Sequence, residues 1–187
     1  ARVGTSSARR VAFLLEQRPD LQFMAIRGNV DSRLRKLREG QYDALVLARA
    51  GLRRLQIEVP HAVLEPDLLP PAPGQGALAV QARAGDRGIL SLVEPLHDPA
   101  TAAAVRAERR LMLLLDGGCR LPVGALGTPR TDGGLDLIGG LATDAGGVAI
   151  ARAHGLLAMP EVLADELARV LLARCADVTP GVLEVAV

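Results

Sequence analysis

Strand-like and helix-like segments alternate over the first 57 residues, and this alternation restricts the fold more than any other feature of the chain. Leu21–Gly28 and Tyr42–Gly51 have the pattern of short strands, and the opening residues read as the end of another strand. Helical patterns follow all three, after Ser6, after Gly28 and at residues 52–57. Strands that alternate with helices pair in parallel, so this part predicts an α/β fold in which helices flank a sheet.

Residues with capping preferences mark the ends of the predicted helices. Ser6 is predicted to be the N-cap of the first helix, and Gly40 is predicted to end the second. Further along, Asp98 and Pro99 suit the start of a long helix, and Gly117 suits the position just past its end.

A proline-rich stretch, Val59–Gly76, separates the first unit from the rest of the chain and is typical of a hinge or interdomain crossing. A strand is predicted at residues 76–83, a short helix at 86–96 and a long helix at 97–118. Three strands joined by turns are then predicted, followed by an amphipathic helix; they cover residues 120–128, 134–143, 147–155 and 159–177. The second half therefore predicts a small α+β domain with a three-stranded antiparallel sheet.

The composition argues against several classes of protein. Hydrophobic residues make up 49% of the chain and aromatic residues 2%, so the core is expected to consist of Leu, Val, Ala and Ile. No apolar run approaches the roughly 20 residues that a membrane span needs, and no signal peptide opens the sequence. Two cysteines without framework spacing argue against a secreted disulfide scaffold. We therefore expect a cytoplasmic protein with no membrane partner.

Positive charge is concentrated in the first third of the chain. Residues 1–54 hold twelve cationic side chains against five acidic ones, a net charge of +7, whereas the remainder carries −6. Arginine supplies 21 of the 22 cationic side chains, which the codon usage of a GC-rich genome explains. Codon usage does not explain the asymmetry, so we expect the first third to bind an anion.

Arginines occur at every strand-to-helix junction of the predicted α/β unit. They are Arg9 and Arg10 after the first strand, Arg27 and Arg33 around the second junction, and Arg53 and Arg54 at the start of the third helix. The carboxyl ends of parallel strands share one edge of a sheet, so these guanidinium groups are predicted to meet there and to bind carboxylates or phosphates. For Arg18, Arg35 and Arg38 a solvated surface is the simpler explanation.

Nucleic acid is the competing anionic partner. The chain has one Tyr, two Phe and no Trp, so aromatic platforms for base stacking are scarce. It also lacks a basic helix of the kind that enters a DNA groove. We therefore expect no nucleic-acid partner, while a non-catalytic anion-binding module stays open as an alternative to an enzyme.

The two cysteines lie in different settings. Cys119 follows two glycines in a loop and adjoins Arg120, which favours the reactive thiolate. No histidine or second cysteine lies near it at catalytic or ligand spacing, so neither a Cys–His dyad nor a metal site has a local signature. The residues alone leave a structural and a reactive role for Cys119 equally open. Cys175 lies in an apolar helical pattern and is predicted to pack in the core.

Gln75 lies between two glycines in the segment APGQGALAV. Glycines allow the backbone to turn sharply or to approach a ligand closely. The Lys-Ser/Thr pair of a phosphate-binding P-loop is missing here, so a hinge turn that leads into a strand is the simpler interpretation.

Taken in order, these segments resemble the porphobilinogen deaminase family, also called hydroxymethylbilane synthase. Each motif is weak alone, but they follow the family order over essentially the whole chain. The matching segments are GTSSARR, IRGNVDSRLRKL, YDALVLARAGLRRL, PGQGALAVQAR, LHDPATAAAVRAERRLMLLLDGGCRLPVGA and the closing helix.

The resemblance implies a covalent cofactor and an anionic substrate. In the family, the cysteine that matches Cys119 carries a dipyrromethane through a thioether, and this group primes the head-to-tail condensation of four porphobilinogen molecules. Ammonia is released, and hydrolysis frees 1-hydroxymethylbilane. Each pyrrole bears an acetate and a propionate. The resemblance implies that these carboxylates of the cofactor and the substrate are bound by a serine and five arginines: Ser7, Arg9, Arg10, Arg27, Arg33 and Arg54. Gln75 matches the family's Gly-Gln-Gly hinge, no metal is implied, and family members are usually monomeric.

The resemblance also implies a domain organisation. Residues 1–72 would form a periplasmic-binding-protein-like α/β domain with a mixed sheet, and residues 73–96 a hinge and crossover that completes another domain. Residues 97–187 would form the C-terminal α+β domain that carries the cofactor cysteine. The family's proton-handling aspartate belongs to a domain that would precede residue 1, so no catalytic residue is assigned here. We expect that these 187 residues alone do not complete catalysis.

Overall fold

The computed structural model describes residues 1–115, 122–143, 147–177 and 182–186. Its first part alternates strands and helices, as predicted. The strands are β1 (Arg2–Gly4), β2 (Gln22–Met24) and β3 (Ala44–Leu45), and the helices that follow them are α1 (Ala8–Gln17), α2 (Val30–Arg38) and α3 (Arg49–Arg54). The strands form the first sheet in the order β2-β1-β3.

Both strand pairs of the first sheet are parallel, with Val3 opposite Phe23 of β2 and opposite Ala44 of β3. This confirms the parallel pairing predicted from the alternation, whereas the mixed sheet that the resemblance implies is wrong for these pairs. A helix after β1 and another after β2 return the chain across the sheet, so each new strand starts in the same direction. The strands are also shorter than predicted, because the chain leaves the sheet by Thr5, Ala25 and Val46 to form the loops that precede the helices.

Serine side chains organise the loop between β1 and α1. The N-cap of α1 is Ser7 and not Ser6, since Ser7 Oγ accepts a hydrogen bond from the Arg10 backbone N–H at 3.4 Å. Ser6 Oγ bonds instead to Ile26 beyond β2, donating to its carbonyl at 2.7 Å and accepting from its N–H at 2.9 Å. Ser6 therefore joins neighbouring loops, which leaves the capping position to Ser7.

The segment from residue 58 to residue 86 contains neither helix nor strand. The strand predicted at residues 76–83 is wrong: its apolar side chains lie in solvent, with Leu78 91% and Val80 61% exposed. A strand needs a neighbour to satisfy its backbone groups, and neither sheet of the described residues pairs with this segment. The short helix that follows is present as α4 (Arg87–Val93), continued by a 3₁₀ turn at Glu94–Leu96.

The second sheet follows the long helix α5 (Pro99–Leu115), whose start is capped as predicted by Asp98 through the Thr101 N–H at 2.6 Å. Gly117, expected just past its end, lies outside the described residues. The strands β4 (Val123–Pro129), β5 (Gly134–Ala142) and β6 (Val148–Leu156) pair antiparallel, which confirms that prediction. After helix α6 (Pro160–Asp177), strand β7 (Val182–Ala186) adds to the sheet, parallel to β6.

The main core lies between one face of the second sheet and the helices α5 and α6. Leu111 of α5, Leu137 of β5 and Leu167 of α6 are fully buried there, and alanines fill the spaces between them. Gly139 allows the helices to lie close, since a Cβ at this position would lie 2.6 Å from Leu111 Cδ2. Cys175 packs against this core, as predicted.

The other face of the second sheet meets the first part of the chain. Phe13 of α1 is 1% exposed and packs on Ile138 and Ile150, and a Cβ at Gly140 would lie 2.6 Å from its ring. The segment before the hinge turn lies beside it, where the Ala125 N–H of β4 donates to the Pro71 carbonyl at 2.8 Å. In the ranges that the structure describes, no helix is both long and apolar enough to cross a membrane.

Candidate functional site

The candidate site is the edge of the first sheet where β1, β2 and β3 end. Three loops meet there: the Thr5 N–H donates to the Met24 carbonyl at 3.0 Å, and the Val46 N–H donates to the Gly4 carbonyl at 3.2 Å. Helices α1, α2 and α3 begin at this edge. Their free backbone N–H groups and the loop arginines make the edge electropositive.

Arg9 and Arg10 extend from the first turn of α1 and are half-buried. Arg10 Nη1 donates to the Val46 carbonyl at 2.7 Å, and Arg9 Nη1 donates to the Pro70 carbonyl. Burial, together with the neighbouring charge of Arg10, lowers the pKa of Arg9 to about 10. Burial and the charge of Arg33 likewise lower the pKa of Arg10. Both remain cationic at neutral pH, in surroundings that favour an added negative charge.

Arg33 completes this group from α2. Its Nε donates to the Gly28 carbonyl at 2.8 Å, which turns the side chain back toward the β2–α2 loop. Arg27 lies in the same loop with an exposed side chain, and its carbonyl accepts from Lys36 Nζ at 3.3 Å. Arg9 and Arg10 thus extend from the start of α1 and Arg33 from the start of α2, at the edge where these helices begin, with Arg27 in the loop before α2. Their binding role stays a prediction.

These arginines differ from the ones interpreted as surface residues. Arg18 pairs with Asp20 at 2.7 Å and Arg35 pairs with Glu39 at 3.8 Å, both in solvent, which confirms that interpretation. In the described part of the chain, none of the predicted binding residues forms an ion pair with an acidic side chain; these are Arg9, Arg10, Arg27, Arg33 and Arg54.

The position of Arg54 in its helix differs from the prediction. Arg53 and Arg54 lie in the last turn of α3 and not at its start, because β3 ends at Leu45 and the helix begins at Arg49. Arg49 is thus the arginine that the third junction supplies, and the sequence analysis missed it. Its signal was present: a helix that starts at Arg49 places Leu52 on the buried face. A cavity of about 600 Å³ lies along this helix, lined partly by Arg49, Arg53 and His61.

Ser7 has a structural role at the same edge. Its Oγ accepts the Arg10 backbone N–H, so it fixes the start of the helix that carries Arg9 and Arg10. The hydroxyl proton remains available to an acceptor, because the capping bond uses only an oxygen lone pair.

The chain turns at residues 73–76, where the hinge turn is predicted. Gly74 has a φ of +77°, which glycine adopts freely, and the Gln75 N–H donates to the Ala72 carbonyl at 3.2 Å. The Gln75 side chain is exposed. The Gly74 N–H donates to the buried carboxylate of Glu108, a residue that the sequence analysis missed because it lies among the charged residues of ERR.

Cys119 and Arg120 lie outside the described residues. The structure describes the elements on both sides of them: α5 ends at Leu115, and β4 begins at Val123. Cys175 is described, and burial raises the pKa of its thiol, which favours the unreactive protonated form. Among the described residues, no group of three or more His, Cys, Asp or Glu side chains is placed to hold a metal ion.

Comparison with known proteins gives matches along most of the chain. Residues 1–91 match the family model described as "Porphobilinogen deaminase, dipyromethane cofactor binding domain", and residues 102–173 match "Porphobilinogen deaminase, C-terminal domain". Similar curated relatives, all named porphobilinogen deaminase, occur in three bacteria. They are from Roseiflexus castenholzii (52% identical over 84% of this chain and 57% of the relative), Rubrobacter xylanophilus (49%, over 93% and 56%) and Syntrophotalea carbinolica (46%, over 95% and 56%).

The chain spans somewhat more than half the length of the curated relatives that it matches. Both family models carry the same family name and match in the order in which their segments follow along this chain. The first model covers the first sheet with its arginine-lined edge, and the second covers most of α5, the strands β4, β5 and β6, and most of α6. The chain belongs to the porphobilinogen deaminase family.

Proposed function

We propose that the protein acts in tetrapyrrole biosynthesis as a hydroxymethylbilane synthase, which joins four porphobilinogen molecules head to tail and releases ammonia. The observation that carries the proposal is a group of half-buried arginines that pair with no acidic side chain among the described residues, within the segment that matches the family's cofactor-binding domain. The substrate class fits this group, because every pyrrole unit brings one acetate and one propionate.

The residues present suit the dipyrromethane cofactor. Arg9, Arg10 and Arg33 supply guanidinium groups that bind carboxylates through paired hydrogen bonds. Ser7 would donate its hydroxyl proton beside them. Arg27 and Arg54, both exposed, would bind the carboxylates of further pyrrole units as the chain grows. When bound through a thioether to Cys119, the cofactor supplies the end to which new units are added.

Each part of this protein would therefore contribute a different step. The sheet edge would neutralise and orient the anionic pyrrole chain, and the arginine–carbonyl hydrogen bonds hold the guanidinium groups in place before it binds. Cys119 would offer the nucleophilic sulfur. Proton transfer at the reacting pyrrole is assigned to none of these residues, so the inability of the 187 residues alone to complete catalysis stays a prediction. Tetrapyrrole formation by the purified chain would contradict it.

We also propose the domain division expected from the resemblance: residues 1–72, 73–96 and 97–187, with the first of periplasmic-binding-protein-like fold. The exposure of Leu78, Leu92 and Leu96 supports a crossover that packs against another domain. Limited proteolysis tests the division, because cleavage is expected first within residues 77–96, and initial cleavage inside α5 or β5 would contradict it.

Intact mass under denaturing conditions tests the proposed cofactor directly. The protein would be purified from cells that make porphobilinogen, together with the variants Cys119→Ala and Cys175→Ala. We expect an adduct of two pyrrole units on the parent and on Cys175→Ala, and an unmodified mass for Cys119→Ala. Cys175→Ala is the matched control, since this thiol is packed in the core. A non-covalent anion-binding module, the alternative raised by the sequence, predicts unmodified masses for all three proteins.

A further inference from the structure

The cavity of about 600 Å³ beside α3 has no part in the chemistry proposed so far. Its volume falls in the range of small-molecule sites, roughly 300–1,000 Å³. Leu52, Ile57 and Val59 supply apolar lining, and Leu52 is 6% exposed. Arg54, which we assign to the growing pyrrole chain, is not among the described residues that line the cavity. The cavity is therefore a different place from the arginine edge of the first sheet.

The turn at the end of α3 forms this cavity. The Gln56 N–H donates to the Arg53 carbonyl at 3.1 Å, and the Ile57 N–H donates to the Leu52 carbonyl at 2.9 Å. Gln56 has a φ of +53°, so this is the hydrogen-bonded turn in which one left-handed residue ends a helix and redirects the chain. Residues 57–61 consequently line the same cavity as the helix, from the opposite wall.

Two positive charges and one negative charge belong to the lining. Arg49 and Arg53 are four residues apart, which places them on one side of α3, and Glu58 comes from the opposite wall. Among the described residues, neither arginine forms an ion pair with Glu58. His61, also in the lining, donates through Nδ1 to the Val59 carbonyl at 2.8 Å. A ligand that complements the three charges needs two anionic groups and one cationic group.

Porphobilinogen has this pattern of charges. Its acetate and propionate are ionised at neutral pH, and the aminomethyl group, whose nitrogen leaves as ammonia, is protonated. The guanidinium groups of Arg49 and Arg53 would bind the carboxylates. Glu58 would bind the ammonium group, while the apolar lining would contact the pyrrole ring. Inorganic phosphate could bind to the arginines, but it would lie near the like charge of Glu58.

We propose that the α3 cavity binds one free porphobilinogen molecule, apart from the sheet edge that binds the pyrrole chain. The identity of this ligand rests on the proposed function. Helix α3 begins at the sheet edge and Arg49 is its first residue, so one end of the cavity adjoins that edge. A monomer bound there is held beside the chain that it will join, which raises its local concentration.

The experiment is a titration of the purified protein followed by the NMR signals of its backbone amides. Signals of residues 57–59 and 61 report on the cavity, and signals of residues 5–10 report on the sheet edge. The probes are porphobilinogen, inorganic phosphate, and an analogue that keeps the acetate and propionate but has hydrogen in place of the aminomethyl group.

The variants Arg53→Gln and Glu58→Gln each remove one charge from the lining. Arg38→Gln and Glu16→Gln are the matched controls, because both side chains are exposed and lie outside the cavity. All four changes affect exposed side chains, so the fold should be kept, and the amide signals of the second sheet check this in every variant.

In the parent we expect porphobilinogen to shift the cavity signals and to bind there roughly tenfold more tightly than the analogue or phosphate, as one charge-assisted contact with Glu58 implies. Arg53→Gln should weaken the binding of both porphobilinogen and the analogue by roughly tenfold or more. Glu58→Gln should weaken only porphobilinogen and thereby abolish its advantage over the analogue. The two control variants should keep the parent's affinities.

Cavity signals that do not respond to porphobilinogen would overturn the inference. So would a parent that binds phosphate in the cavity as tightly as porphobilinogen, or an advantage over the analogue that survives Glu58→Gln. Failure of the proposed function gives a different result: the parent would lack the pyrrole adduct, and the signals of residues 5–10 would not respond to porphobilinogen. The mass and the edge signals thus test the function, and the cavity signals test the inference.

Discussion

The first and second sheets of this protein differ in the length of their strands and in what packs against them. The strands of the first sheet have two or three residues each, while β4, β5 and β6 have seven to nine. The second sheet has helices on one face and Phe13 on the other. The first sheet ends early at its carboxyl edge, and its loops use their backbone carbonyls to hold arginines.

This difference shows how binding and stability are distributed. Arg9 and Arg10 are half-buried and lie close enough to other arginines for the neighbouring positive charge to lower their pKa values, so the charges at this edge oppose the folding of the unit that contains them. The second sheet holds the larger group of buried side chains and supports α1 through Phe13. Ligand-binding regions are commonly drawn from the less stable parts of a protein, and the first sheet fits that rule.

The largest effect is expected from removing a central side chain of the second unit. Leu167→Ala should lower the free energy of unfolding by about 2–5 kcal/mol, because Leu167 is fully buried between α5 and the sheet. Leu52→Ala, in the short helix α3, should lower the free energy of unfolding by less, since the surroundings of Leu52 can relax into the space that its side chain leaves. Urea denaturation measures both. A larger loss for Leu52→Ala would show that the first unit is the more tightly packed one.

The next largest effect concerns the binding edge. Arg10→Gln should weaken porphobilinogen binding by roughly tenfold or more, as the loss of charge-assisted hydrogen bonds implies, while changing stability little because a like-charge repulsion is also removed. Isothermal titration calorimetry gives the affinity. Arg18→Gln is the control, since Arg18 is exposed and paired with Asp20. Equal affinities for the two variants would remove the carboxylate-binding role of Arg10.

A smaller effect is expected at the contact that joins the two units. Gly140→Ala would place a Cβ 2.6 Å from the Phe13 ring, so it should cost about 1–3 kcal/mol through overpacking. Gly76→Ala is a suitable control, because a Cβ there meets nothing within 4 Å. Thermal unfolding of Phe13→Leu, of Gly140→Ala and of the double variant measures how strongly the two positions are coupled. If the stability losses of the single variants simply add in the double variant, Phe13 and residue 140 are not in direct contact.

Local patterns were enough to predict most of the architecture. The alternation of strands and helices, the Asp98 cap of α5 and the antiparallel strands after residue 122 all follow from periodicity and turn residues. The meeting of Arg9, Arg10 and Arg33 follows from one topological rule, that parallel strands end at a common edge. The placement of Arg9, Arg10 and Arg33 near the starts of α1 and α2 was therefore predictable from sequence, whereas their binding role stays a prediction.

The parts that sequence could not predict depend on distant partners. The apolar alternation around Leu78 and Val80 suits a strand, but a strand forms only where another offers its edge. Glu108 reads as a surface charge until Gly74 and Gly127 are brought beside it by the fold. Arg54 was assigned to the wrong end of its helix because the limits of a strand of two residues are set by its neighbours.

The smallest expected effect tests how the short strands of the first sheet are held. Arg2 of β1 pairs with Asp43, just before β3, at 2.8 Å, and this hydrogen-bonded partner lowers the pKa of Asp43 to about 2. A carboxylate with a lowered folded pKa contributes stability above its unfolded pKa of about 4, and this contribution is lost as the pH falls toward 2. Asp43→Asn should therefore have a slightly lower Tm than the parent at pH 7, with a difference that shrinks between pH 4 and pH 2.

Asp20→Asn is the matched control for this last variant. The pKa of Asp20 is lowered to a similar value, about 2, by Arg18, which lies two residues away in sequence. That contact can also form in the unfolded chain, so it adds less to the folding free energy than a pair that joins β1 to the start of β3. Equal Tm shifts for the two variants would mean that the Arg2–Asp43 pair does not hold the strands together, and that the register of the first sheet depends on its backbone hydrogen bonds and the packing of α1 instead.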